Sequence, residues 1–150
     1  MEFVTKNAEE TKKLGREMAV DLMVNGQRSM AKVLALTGEL GSGKTTFVQG
    51  LAEGLGIKNN IISPTFILMR SYPINHQPST ISHFFHLDLY RLEENIEREV
   101  KSLGIEEIWK DPENIVVIEW AEKIENLLPK ETRWIKFQTV GENERQIDIN

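Results

Sequence analysis

Leu14, Met18 and Leu22 recur every four residues and mark one apolar stripe of a helix. Asn7 followed by Glu10 three residues later has the form of a capping box, and Asn25-Gly26 supplies a stop. The pattern predicts an amphipathic helix over residues 8–24, its stripe used for core packing. Lys32-Val33-Leu34-Ala35-Leu36-Thr37 is then a short apolar run with the length of a buried strand. Helical spacing returns at Phe47, Val48, Leu51, Ala52 and Leu55, and Gly56 stands where that helix would end.

Further on, Ile61-Ile62-Ser63-Pro64-Thr65-Phe66 leads into a strand near Ile67–Tyr72. A polar, turn-rich stretch over residues 73–80 separates it from a return strand at Ile81–Leu87, which together read as an antiparallel hairpin. Residues 93–113 carry eight acids against three bases, a pattern expected of the solvated faces of short helices. Ile115-Val116-Val117-Ile118 is the purest apolar run and predicts a central strand buried on both faces. Trp134–Phe137 and Arg145–Ile149 alternate apolar and polar residues around Gly141-Glu142-Asn143-Glu144, which predicts a terminal hairpin.

Between the first predicted strand and the second helix lies Gly38-Glu39-Leu40-Gly41-Ser42-Gly43-Lys44-Thr45, a complete phosphate-binding loop. Small residues let successive backbone N–H groups face one concavity, an anion nest. Lys44 can reach outer phosphates as a point charge, and the Thr45 hydroxyl can complete a Mg²⁺ shell. The helix that follows adds the positive end of its dipole. Gly41, Ser42, Gly43, Lys44, Thr45 and Thr46 are the candidate nucleotide-binding residues, and the chain is expected to bind a nucleoside triphosphate.

Phosphoryl transfer at such a loop needs a carboxylate to fix the metal, at the C-terminal end of a neighbouring strand. Glu119 ends the predicted central strand and is the better choice for the metal. Asp88 ends the run from Ile81, whose mixed His83 and His86 content fits a less buried strand. Either carboxylate could instead be a helix cap or a surface ion-pair partner. Thr65 lies in the loop where nucleotide switches keep a phosphate-sensing residue, or is an exposed turn hydroxyl. His76, His83 and His86 make no convincing ligand set and read as structural or exposed. Trp120 reads as a packing residue, and Ser42 has no visible His–Asp support for nucleophilic catalysis.

At 150 residues the chain predicts one domain, residues 1–150. It has no cysteine, which excludes disulfides, thiolate metal sites and a Cys nucleophile. No apolar run approaches membrane-spanning length, and the N-terminus lacks a signal-peptide core, so a cytoplasmic location without membrane contact is expected. The net charge of −5 argues against autonomous tight nucleic-acid binding.

Taken in order, Gly38–Phe47, Ser63-Pro64-Thr65-Phe66, His86-Leu87-Asp88-Leu89-Tyr90-Arg91-Leu92 and Ile118-Glu119-Trp120 resemble the TsaE (YjeE) family over nearly the whole chain. The loop is shared by many families; the other three elements in this order are far more specific. The resemblance implies ATP hydrolysis with Mg²⁺, Lys44 on the phosphates, Thr45 and Glu119 on the metal, Asp88 required, and Thr65 in a switch-like segment. It also implies a partner, the TsaD–TsaB complex that transfers a threonylcarbamoyl group to an adenosine of tRNA. The ATPase would reset that complex between turnovers, and tRNA would be met only through it. Leu87 departs mildly from the Phe that family members often carry there. The base pocket would draw on the N-terminal segment and the last hairpin, at positions the resemblance leaves open.

Two rivals share the loop. A small-molecule kinase would need an acceptor pocket and an Arg-rich lid, and Arg70, Arg91 and Arg98 are scattered. A guanine-nucleotide switch would need an Asn-Lys-x-Asp motif, which is absent. The expected architecture is a three-layer α/β P-loop NTPase-like domain, with a mixed, mainly parallel sheet extended by antiparallel hairpin strands.

Overall fold

The computed structural model describes residues 1–24, 30–58, 61, 68–74 and 81–150. Asn25-Gly26, Ser63-Pro64-Thr65-Phe66, Ile67 and His76 therefore lie outside the described residues. In chain order the strands are β1 (Glu2–Thr5), β2 (Lys32–Thr37), β3 (Met69–Pro73), β4 (His83–Asp88), β5 (Asn114–Glu119), β6 (Arg133–Thr139) and β7 (Arg145–Ile149). The helices are α1 (Ala8–Val24), α2 (Lys44–Gly54), α3 (Ile96–Lys101) and α4 (Ile105–Lys110), with a 3₁₀ segment over Ala121–Leu127.

The strands form one sheet in the order β1-β7-β6-β2-β5-β4-β3. β6, β2, β5 and β4 run parallel to one another, and the β3–β4, β6–β7 and β1–β7 pairs are antiparallel. Both expected hairpins and the α/β class are present. β1 was not foreseen: its four residues are too few to show a period, and pairing with β7 holds them, Phe3 opposite Ile147.

Side chains alternate across the sheet, and both faces are apolar. Leu34, Leu36, Ile115, Val117 and Phe84 pack with Leu14, Met18, Phe47 and Leu51 of α1 and α2. Val33, Ala35, Val116 and Ile118 pack on the other side with Val100, Ile105, Trp109 and Ile124. This gives the three layers. All eight acids of residues 93–113 are exposed, as solvated helix faces should be. β4 is less buried than β5, as expected, with His83 exposed and Phe85 half-buried, although β3 covers its outer side and leaves Phe84, His86, Leu87 and Asp88 buried. Among the described residues, no helix is long and apolar enough to cross a membrane.

The N-terminus of α1 is capped nearly as expected. Asn7 Oδ1 accepts the Glu10 N–H at 2.9 Å, while the Glu10 carboxylate accepts the N–H of Lys6, at 2.6 Å, instead of that of Asn7. From there α1 runs against α2 with almost no space between the backbones. A Cβ on Gly50 would lie 2.1 Å from the Lys12 carbonyl oxygen, and one on Gly15 would lie 2.3 Å from that of Phe47. These contacts are backbone on backbone, so no side-chain rotation relieves them.

A Gly50→Ala substitution sets two effects against each other. Helix propensity favours alanine by about 1 kcal/mol. Overpacking costs about 1–3 kcal/mol and here demands separation of two helices. The expected outcome is a net loss of stability, read as a lower urea midpoint at unchanged m-value.

Candidate nucleotide site

β2 delivers the chain into the glycine loop, and α2 begins at Lys44. Gly43 stands at the helix N-cap with φ 101°, a left-handed conformation that favours glycine. The parallel register then brings the acids to the loop: Glu119 lies opposite Leu36 of β2 on one side and Asp88 of β4 on the other. On this face the rows of β5 and β4 turn polar toward their C-terminal ends, Ile115 and Val117 giving way to Glu119, and Phe84 giving way to His86 and Asp88.

The Thr45 hydroxyl donates to Glu119 Oε1 at 3.0 Å. Glu119 Oε2 lies 2.6 Å from His86 Nε2. Both the carboxylate and the imidazole are buried, Glu119 at 2% exposure and His86 at 0%. Asp88, also buried, accepts the Tyr90 N–H on Oδ1 at 3.0 Å, an Asx turn that shapes the chain just beyond β4.

Lys44 is the buried cation facing these acids. Its ammonium donates to the carbonyls of Gly38 and Glu39 and lies 4.2 Å from the centroid of the Trp120 ring. Burial pushes its pKa below that of a free lysine, and the charges of Glu119, Glu122, Asp88 and Glu39 oppose that shift. Trp120 reaches this position through a left-handed backbone turn, with φ 62° directly after β5. Tyr90 packs against its ring at a centroid distance of 5.2 Å. The residue therefore does more than pack: it also forms part of the wall beside Lys44.

These groups open on a cleft of about 420 Å³. Loop residues and Thr45, Thr46, Asp88, Tyr90, Glu119 and Trp120 line one side. Asn7, Ala8 and Thr11 from the start of α1, with Asn143 and Arg145 from the last hairpin, line another. The start of α1 and the last hairpin thus meet at the same cavity. Arg145 ties the hairpin to the loop, donating to the Gly41 carbonyl at 3.1 Å and to its own neighbour Glu144 at 2.9 Å. Arg70, Arg91 and Arg98 are exposed and do not line the cleft.

The structure brings together Gly41, Gly43, Lys44, Thr45, Thr46, Asp88 and Glu119. Ser42 is buried at 1% exposure, and among the described residues its hydroxyl has no hydrogen-bond partner. Thr65 lies outside the described residues. His86 and Arg145 are the residues sequence reasoning passed over. His86 carried a signal, because a histidine two residues before Asp88 shares its strand face.

The donor set fits Mg²⁺. Thr45 and Glu119 offer hard oxygens side by side, with Asp88 on the adjacent strand end. Among the described residues no group of three or more His, Cys, Asp or Glu side chains could cage a metal. Mg²⁺ does not need one, since it is held by one or two carboxylates together with phosphate oxygens and water.

The family model described as threonylcarbamoyl adenosine biosynthesis protein TsaE matches residues 5–147. The tRNA threonylcarbamoyladenosine biosynthesis protein TsaE of Bacillus subtilis is 37% identical over 147 residues, covering 98% of this chain and 83% of the relative. The protein of the same name from Treponema pallidum is 34% identical over 149 residues, covering 99% of both chains. A crystal structure of Bacillus subtilis YdiB superposes with a TM-score of 0.71 at 31% identity, over 98% of this chain and 82% of that one.

One side chain joins the two strand ends of the site. The Lys123 ammonium donates to the carbonyls of Leu89, Tyr90 and Leu92 at 3.1, 2.9 and 2.8 Å. Lys123→Met keeps the apolar stem and removes all three charge-assisted bonds. The expected loss of stability is about 1–3 kcal/mol. Hydrogen exchange should accelerate most at the Tyr90 and Leu92 amides, and unchanged protection there would show that the ammonium does not hold the segment.

Proposed function

The chain belongs to the TsaE family of threonylcarbamoyl-adenosine biosynthesis proteins, and on that premise we propose that it is a Mg²⁺-dependent ATPase serving this tRNA modification. Its partner in this reading is the TsaD–TsaB transferase complex. ATP hydrolysis resets that complex between turnovers, tRNA is met through the complex, and the setting is the cytoplasm. The observation that carries the ATPase reading is the Thr45–Glu119 hydrogen bond, which sets a metal-binding hydroxyl against a buried carboxylate at the mouth of a phosphate-binding loop.

The chain's residues divide the work by position. Loop amides and the α2 N-terminus receive the phosphates, and Lys44 exchanges its Gly38 and Glu39 carbonyl partners for phosphate oxygens. Thr45 and Glu119 hold the metal, whose bound chemistry is neutralisation of phosphate charge. Glu119, with one hydrogen bond on each oxygen, suits this fixed role. Asp88, on the same cleft wall, suits the ordering of an attacking water. Trp120 and Tyr90 cover the polar wall and limit its contact with bulk water. In this reading the base and ribose extend from the phosphates toward Asn7, Thr11, Asn143 and Arg145, which line the other side of the cleft. Catalysis in this arrangement is positional and electrostatic, with no covalent intermediate on the protein.

The test is ATP hydrolysis with Mg²⁺, alone and with TsaD–TsaB and tRNA. Slow turnover that rises with the partner supports the reading. Lys44→Ala and Glu119→Ala should each reduce hydrolysis by roughly 100-fold or more while circular dichroism stays unchanged. A folded variant with normal turnover would refute the role of that residue. Turnover that requires a small-molecule acceptor would mark a kinase, and preference for GTP would sink the ATP assignment.

A further inference from the structure

We propose that His86 is a positioning residue whose Nε2–H aims the Glu119 carboxylate at Thr45 and the metal side of the cleft; this rests on the ATPase reading above. The register places it for that purpose. His86 lies opposite Val117, so the side chain two residues further along β5 on the same face is that of Glu119. The 2.6 Å contact from Nε2 to Oε2 leaves Oε1 to the Thr45 hydroxyl. Each oxygen of this deeply buried carboxylate therefore has one side-chain partner, Thr45 on Oε1 and His86 on Oε2.

The protonation pattern follows from the same geometry. A carboxylate in the proposed metal-holding role only accepts, so in this reading the imidazole carries its proton on Nε2. That leaves Nδ1, which is buried and has no hydrogen-bond partner among the described residues. A buried polar atom without a partner opposes folding. Packing alone would be served better by phenylalanine, since the His86 ring already stacks against Phe84 with an interplanar angle of 22°. The use of a histidine here lies in the one N–H it directs at Glu119. Groups that orient a metal-holding carboxylate characteristically change metal affinity or activity by 10–100-fold.

Two variants and one spectrum test this. His86→Phe preserves the ring and removes the N–H, whereas His86→Gln can return an amide N–H near the position of Nε2. Thermal melts establish that each is folded. Binding of ATP without Mg²⁺ should match the wild type in both, because the loop and Lys44 are untouched. In His86→Phe, the Mg²⁺ concentration giving half-maximal enhancement of ATP binding should rise by about tenfold or more, with a parallel fall in kcat. His86→Gln should recover most of both. Imidazole nitrogen chemical shifts of the wild type should report the Nε2–H tautomer, independently of any turnover.

Wild-type Mg²⁺ dependence and kcat in folded His86→Phe would overturn the proposal. So would a proton on Nδ1 with none on Nε2, a result that stands even if His86→Phe fails to fold. A wild type without Mg²⁺-dependent ATP binding would remove the ATPase reading and this inference together, whereas a normal wild type beside an unaffected His86→Phe would remove only the positioning role.

Discussion

The near-contact of the α1 and α2 backbones is the constraint on which the site depends. With the Gly50 Cα side only a hydrogen's width from the Lys12 carbonyl, the two helices have essentially one relative placement. That placement fixes α2, and with it the direction in which the glycine loop and Thr45 face. It also carries Asn7 and Thr11, at the start of α1, to the rim of the same cleft. A side chain at the crossing would separate the helices and open the cleft from its far wall. The apolar stripe of α1 supplies the attraction, and the glycines set how close the approach becomes.

Against that fixed helix the sheet places its charges with similar economy. Six of the buried positions on its α1–α2 face, Leu34, Leu36, Ile115, Val117, Ile135 and Phe84, are apolar, and the carboxylates Glu119 and Asp88 come at strand ends. Glu119, Asp88, His86 and Lys44 are therefore buried together instead of singly. A lone buried charge is costly, whereas here opposite charges and hydrogen-bond donors lie side by side. The lowered proton affinity of Lys44 reflects the same balance, burial acting against its charge and four acids acting for it.

What could be read from the chain was whatever is encoded locally. The glycine loop, the 3.6-residue period of α1 and α2, the apolar run of β5 and the turn between β6 and β7 each lie within a short window, and each is where the sequence implied. The acids at Asp88 and Glu119 were legible because a strand end is a local feature and an open α/β sheet puts its chemistry there. His86 was harder. A single histidine in a strand suits exposure, packing or hydrogen bonding equally well, and the deciding partner lies 33 residues away. Arg145 is a stronger case, since its bond to Gly41 spans 104 residues and no nearby pattern announces it. Gly15 and Gly50 look like poor helix residues until the second helix is present.

The triple bond of Lys123 has a mechanical meaning as well as an energetic one. It ties the chain leaving β4 to the chain leaving β5, while Leu89 N–H also donates to the Glu119 carbonyl at 3.2 Å. The two exits are thus welded rather than hinged. With Tyr90 packed on the Trp120 ring, the ends of β4 and β5 form one connected wall of the cleft, held by backbone and ammonium hydrogen bonds instead of by side-chain packing alone.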